Sequence, residues 1–265
     1  MSFADRVRAV IADRGRLCVG IDPHAGLLRD WGLEDSAAGA RDFGLRVVEA
    51  ATGRVGVVKP QAAFFERHGA PGYAALTEVI AAARTAGLFV LADVKRGDIG
   101  STVDAYAEGW LTPGTAAEAD AMTAVAYQGV GSLREVFARA DAAGKGAFVL
   151  AATSNPESVA LQAAVRADGR TVARATVDEV REAGHGIVVG ATAPLAALGL
   201  DDTALAGMPI LAPGFGAQGA RLADGPALFG AAAELVLAAA SRSILAAGPD
   251  GIADAIAAHA EEARW

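Results

Sequence analysis

Residues 17–26 read LCVGIDPHAG. A short, almost unbroken apolar run passes straight into a polar turn at Asp22-Pro23-His24. Runs of this kind, apolar on both faces, mark parallel strands covered on both sides. A dinucleotide-binding open sheet places GxGxxG after its first strand, and that fingerprint is missing here. Similar runs recur along the chain. The pattern predicts strands at Leu17–Asp22, Val55–Pro60, Phe89–Lys95, Ala121–Tyr127, Ala147–Thr153, Gly186–Gly190, Pro209–Pro213 and Leu235–Ala240.

Between them lie stretches with helical periodicity: Arg41–Thr52, Gly72–Ala86, Gly131–Ala143, Ser158–Ala167, Thr171–Ala183 and Asp250–Ala263. Gly53, Gly87, Gly144 and Gly184 stand where a left-handed residue closes a helix. Eight strands alternating with helices over about 250 residues is the arithmetic of a parallel eight-stranded (β/α)8 TIM barrel. Periodicity by itself fits an open doubly wound sheet as well. No linker or repeat divides the chain, so residues 1–265 are expected to form one domain.

The chain has 265 residues, 53% hydrophobic and 20% charged, with a formal net charge of −8. Such a surface repels nucleic acid, and no basic stretch offsets it. A disulfide within the chain is impossible, because Cys18 is the single cysteine. The longest uncharged run, Thr203–Ala220, is broken by Pro209, Pro213 and four glycines, which disfavours a membrane span. The N-terminus mixes Asp and Arg through its apolar positions, unlike a signal peptide. The expected compartment is the cytoplasm, with no membrane partner.

In a barrel the chemistry sits where strands end. Those ends carry Asp22, Lys59, Asp93, Lys95 and, just beyond, Asp98. Asp93 and Lys95 are two apart and so are expected on one face. Inward charges are costly unless paired, which predicts an alternating network, and strongly perturbed charges cluster at active sites. Of 23 basic residues only Lys59, Lys95 and Lys145 are lysines. Arginine pairs carboxylates equally well but cannot release a proton, so two lysines here point to proton transfer or Schiff-base chemistry. After strands seven and eight come PGFGAQG (213–219) and SRS (241–243), where barrels hold phosphate. The four histidines have no metal-ligand spacing; His24 reads as a solvated loop residue, Cys18 as buried, and Trp31, Trp110 and Phe64-Phe65 as packing.

Taken together, VGIDPH (19–24), VVKPQAAFFERHG (57–69), LADVKRGDIGST (91–102), ATSNP (152–156), APGFGAQGA (212–220) and SRSI (241–244) resemble the orotidine 5′-phosphate decarboxylase family, in its longer bacterial subgroup. The resemblance spans nearly the whole chain, and its strongest element is D-x-K-x-x-D at Asp93, Lys95 and Asp98. It implies a barrel that takes a nucleotide substrate and forms a homodimer with shared active sites. It implies catalytic roles for Lys59, Asp93 and Lys95, joined by Asp98 from the neighbouring subunit. Asp22 would bind the ribose, Thr102 would reach it from the other subunit, and Ser154 would face the pyrimidine amide edge. Gln218 and Arg242 would hold the phosphate. Two departures stand out: Gly100 where many members have proline, and Ser241 where many have glycine.

The implied reaction converts orotidine 5′-monophosphate to uridine 5′-monophosphate and CO2 without metal or cofactor. Lys95 would stabilise and protonate C6, and Asp93 would crowd the departing carboxylate. The main alternative is a magnesium-dependent sugar-phosphate decarboxylase or aldolase of the same superfamily, such as hexulose phosphate synthase. That branch needs a carboxylate at strand two, where this chain has Lys59. A Schiff-base aldolase would need a lysine depressed by an apolar pocket, whereas Lys59 and Lys95 have aspartates around them. A non-catalytic phosphate-binding barrel would not need the charge network.

Overall fold

The computed structural model describes all 265 residues. Its strands are β1 (Leu17–Ile21), β2 (Val57–Pro60), β3 (Phe89–Arg96), β4 (Ala121–Ala124), β5 (Gly146–Ala152), β6 (Gly186–Val189), β7 (Ile210–Pro213) and β8 (Val236–Ala240). They pair in parallel in chain order, and β8 returns to β1 through Leu17–Ala238 and Cys18–Ala239. This closure decides for the barrel over the open sheet.

Side chains alternate across the wall. Val19, Val58, Val90, Val149 and Ile187 point outward into a core shared with the surrounding helices. Cys18, Val57, Leu91, Phe148 and Leu237 point inward and fill the barrel. Both faces are therefore buried, which is why the strands read as almost uniformly apolar.

The helices Ala37–Ala51, Gly69–Thr85, Arg134–Ala142, Val172–Glu182 and Gly248–Glu262 lie where periodicity places them, with ends displaced by a few residues. The four closing glycines have φ between +65° and +77°. Most strands are a residue or two shorter than expected, and two elements fall well short. β4 stops at Ala124, ahead of a turn closed by the Gly129 N–H on the Ala126 carbonyl, which leaves Tyr127 exposed. The helix expected over 158–167 ends at Gln162, since Asp168-Gly169 folds Val165 and Thr171 into a small hairpin.

Two further long helices escape the periodicity, Phe3–Arg14 and Gly100–Leu111. The first plugs the N-terminal end of the barrel. Its Phe3 and Val7 join the inner core, and Phe3 meets Phe148 edge-on at 5.3 Å. A Cβ on Gly146 would lie about 2 Å from the Phe3 ring, so only glycine starts β5 there. No helix is long and apolar enough to cross a membrane.

Candidate active site

The inward alternation of each strand ends at one cavity of about 280 Å3 on the C-terminal face. Following the wall, β1 to β4 deliver Asp22, Lys59, Asp93 and Thr123, and β5 to β8 deliver Leu150, Val188, Leu211 and Ala239. On the strand wall, one half of the cavity is thus polar and charged and the other apolar.

Asp93 is the hub. Its Oδ2 accepts from Lys59 Nζ at 2.9 Å, and its Oδ1 accepts from Lys95 Nζ at 2.5 Å. Lys59 and Asp93 are buried, whereas the Lys95 side chain is 44% exposed and open to the cavity. Burial alone would raise the Asp93 carboxyl, but the two ammonium groups outweigh it and hold it well below the usual range. Burial alone would likewise lower Lys59, yet Asp93 and the nearby Asp22 hold it above the ordinary lysine value.

Lys95 does not reach Asp93 by simple alternation, as the two-residue spacing predicts. The register of β3 against β4 shifts between Ala92 and Arg96, and Lys95 adopts φ +46°, the one positive φ outside glycine. Such a conformation is rare for a residue with a side chain and persists only where its surroundings enforce it. Thr123 does part of that enforcing: its Oγ1 accepts the N–H groups of Val94 and Lys95, each at 2.9 Å. Sequence reasoning missed Thr123. The signal was its parity with inward-facing Ala121 at the end of β4.

The other expected members of the network part from it. Asp22 makes no ion pair with Lys59; its Oδ2 accepts from the Ser241 hydroxyl, and its Oδ1 is buried without a partner. Ser241 is therefore more than a neutral replacement for glycine. A Cβ on Gly20 would come within 2.7 Å of Ser241 Cβ, so the serine needs a glycine opposite it. Asp98 accepts from the N–H of Ile99 and does not line the cavity of its own chain. Thr102 is exposed in the first turn of the helix Gly100–Leu111, which Gly100 opens at φ +56°, and it also stands outside that cavity.

Gln218 and Arg242 both line the cavity, and Arg242 begins the short helix Arg242–Leu245. The glycine-rich loop is tighter than expected. The N–H groups of Gly216 and Gly219 bond within it, to Ala220 and Gly216, while those of Ala217 and Gln218 stay free of it. Gly216 also has no room for a side chain, since a Cβ there would lie 2.3 Å from Ser243 Oγ. Ser154 stands at the edge, its hydroxyl 3.4 Å from Gln218 Oε1.

His24 is not a free loop residue but caps the helix Ala25–Asp30, its Nδ1 accepting from the Leu27 N–H at 3.3 Å. Cys18 lies inside the barrel, where burial pushes its thiol up to about 12. Trp31 packs on Phe43 and donates to the Leu245 carbonyl. No three His, Cys, Asp or Glu side chains come together as a metal-binding group.

The model of the orotidine 5′-phosphate decarboxylase / HUMPS family matches residues 15–256. An orotidine 5′-phosphate decarboxylase of Salinispora tropica is 52% identical over 95% of this chain and 92% of its own. One from Streptomyces coelicolor is 49% identical over 94% and 91%. A crystal structure from Streptomyces avermitilis superposes with a TM-score of 0.93 at 46% identity, covering 99% of this chain and 95% of that one. The Leishmania donovani OMP decarboxylase superposes at 0.73 with 34% identity over 98% and 99%. With a family match across most of its length and relatives this similar, the chain belongs to the orotidine 5′-phosphate decarboxylase family.

Proposed function

We propose that the protein decarboxylates orotidine 5′-monophosphate to uridine 5′-monophosphate and CO2, the last step in making UMP. The observation that carries this reading is the Lys59–Asp93–Lys95 array at the cavity, in a chain whose relatives bear that enzyme's name. In the reaction the C6–carboxylate bond breaks and its electron pair stays on C6. Lys95, charged and open to the cavity, stabilises that carbanion and gives it a proton, and solvent returns the proton to Lys95. Asp93 sits where the substrate carboxylate would crowd it. Lys59 keeps Asp93 ionised and in place.

The remaining roles follow from position. Asp22 Oδ1, buried without a partner, suits a ribose hydroxyl, while Ser241 holds the other oxygen. Arg242, Gln218 and the free loop N–H groups suit the phosphate, and Ser154 beside Gln218 suits the pyrimidine edge. Binding energy from the phosphate, remote from the breaking bond, orders the site. The chemistry uses side chains alone. Lys59 stands on β2, where the sugar-phosphate branch would need a carboxylate to hold magnesium, and its ammonium beside Asp93 would repel the ion, which weighs against that branch.

Asp98 and Thr102, outside their own chain's cavity and flanking exposed Ile99, suit a neighbouring subunit's site. A homodimer with shared sites is the assembly proposed. The whole chain, 1–265, is read as one domain, because Phe3 joins the inner core and Trp265 donates to Leu222. The acidic surface argues against nucleic acid as a partner, and the lone buried cysteine fits the cytoplasm.

The test follows orotidine 5′-monophosphate absorbance with purified protein, with and without EDTA. Loss of substrate with UMP as product, unaffected by EDTA, is expected. Loss that EDTA blocks supports the magnesium branch instead. Mixing Lys95→Ala and Asp98→Ala subunits should restore part of the activity; no rescue after verified subunit exchange would assign complete sites to single chains.

A further inference from the structure

Thr123 is 1% exposed on the inner wall, and nothing in the reaction above uses it. Its hydroxyl has three neighbours at 2.9 Å: the N–H of Val94, the N–H of Lys95 and Oδ1 of Asp93. A hydroxyl carries one proton and two lone pairs. Both N–H groups can only donate, so together they take both lone pairs. The proton then has a single direction left, toward Asp93.

We infer that Thr123 is a positioning residue for the decarboxylation, locking the Lys95 backbone turn and the Asp93 carboxylate together through one hydroxyl. The inference rests on the decarboxylase reading. Asp93 receives Thr123 and Lys95 on one oxygen and Lys59 on the other, so all its neighbours are donors and it is held as an acceptor. The same hydroxyl satisfies two N–H groups that the register shift of β3 turns away from ordinary ladder pairing. One side chain on β4 thereby joins the backbone geometry that aims Lys95 to the charge that Lys95 meets.

Thr123→Val keeps the shape and removes all three bonds; Thr123→Ser keeps the bonds and removes the methyl. The assay is steady-state turnover of orotidine 5′-monophosphate beside calorimetric binding of UMP. For the valine variant kcat is expected to fall about 10- to 100-fold, the loss for one hydrogen bond to a charged group. KM and UMP affinity should stay within about threefold, and serine should restore kcat to within about threefold. A valine protein within about twofold of the wild-type kcat overturns the inference. So does a serine variant as slow as valine, which would assign the effect to the methyl, or a rise in KM alone. If the valine protein does not fold, Thr123→Ala is read by the same criteria. If the wild type itself does not turn over, the decarboxylase reading fails separately. The crystal structure of Thr123→Val then decides: Lys95 leaving its left-handed conformation supports the inference, and an unchanged Lys95 overturns it.

Discussion

Two buried carboxylates, each between two cations, sit at opposite ends of the barrel. At the C-terminal end Asp93 holds Lys59 and Lys95; at the N-terminal end Glu118 holds Lys145 at 2.9 Å and Arg84 at 2.8 Å. Both Glu118 oxygens are engaged, the other one accepting from the Gly114 N–H at 2.7 Å. Burial pushes Lys145 below its ordinary value despite Glu118, whereas Asp93 and Asp22 keep equally buried Lys59 above it. Asp93 borders the cavity, and one of its lysines is free to meet a ligand. A buried lysine–carboxylate pair is therefore no mark of chemistry by itself. Its end of the barrel makes the difference, together with the open partner's chemistry: Lys95 can release a proton, whereas the equally open Arg84 cannot.

The comparison breaks or holds on what removing each lysine does. Lys95→Ala should lower turnover on the order of 10⁴-fold, the upper end for a general acid, while UMP binding and thermal unfolding change little. Turnover near normal would put Lys95 outside the chemistry. Lys145→Met should do the reverse. It leaves Glu118 buried with one cation fewer, at a cost of about 3 kcal/mol in urea unfolding, and kcat of the folded protein stays unchanged. A clear drop in kcat would join the two ends of the barrel functionally.

Arg242→Ala should weaken UMP by about 2 kcal/mol, read by calorimetry, and leave uridine nearly untouched. Equal weakening of both would move the phosphate elsewhere. The smallest effect concerns pH. His185 is buried beside Phe137 and Phe3 near the plugged end; neither ring nitrogen has a hydrogen-bond partner, and Asp141 Oδ1 lies 3.7 Å from Nε2. Burial lowers its value and outweighs the opposing pull of Asp141, so the unfolded chain takes up its proton first as pH falls. His185 therefore adds stability above about pH 6.5 that is lost as pH drops below it, by at most about 1.4 kcal/mol per pH unit. His185→Leu should flatten that part of the stability profile without altering the pH dependence of turnover. An unchanged stability slope would place the acid sensitivity in other groups.

Much of the site was legible because strand parity is local. Asp22, Lys59 and Asp93 sit at inward positions that follow from the apolar runs before them, and the phosphate segments lie at the ends expected of a barrel. The helix Phe3–Arg14 was hidden because its apolar residues Phe3 and Val7 answer to a barrel end and not to a neighbouring helix. Thr123 was hidden because its worth lies in three partners 28 to 30 residues away. Ser241 reads in sequence only as a departure from glycine, because its partner Asp22 lies 219 residues away.

The sequence by itself determined the order of strands and helices, the pairing of charge with strand ends, and the family, since these rest on alternation and on motifs of a few residues. Tertiary structure alone decided that the sheet closes, that β3 bulges to carry Lys95 across to Asp93, and that the Ser241 hydroxyl meets Asp22. Closure, register shifts and shared hydroxyls join residues far apart in the chain, and no local pattern encodes where such partners meet.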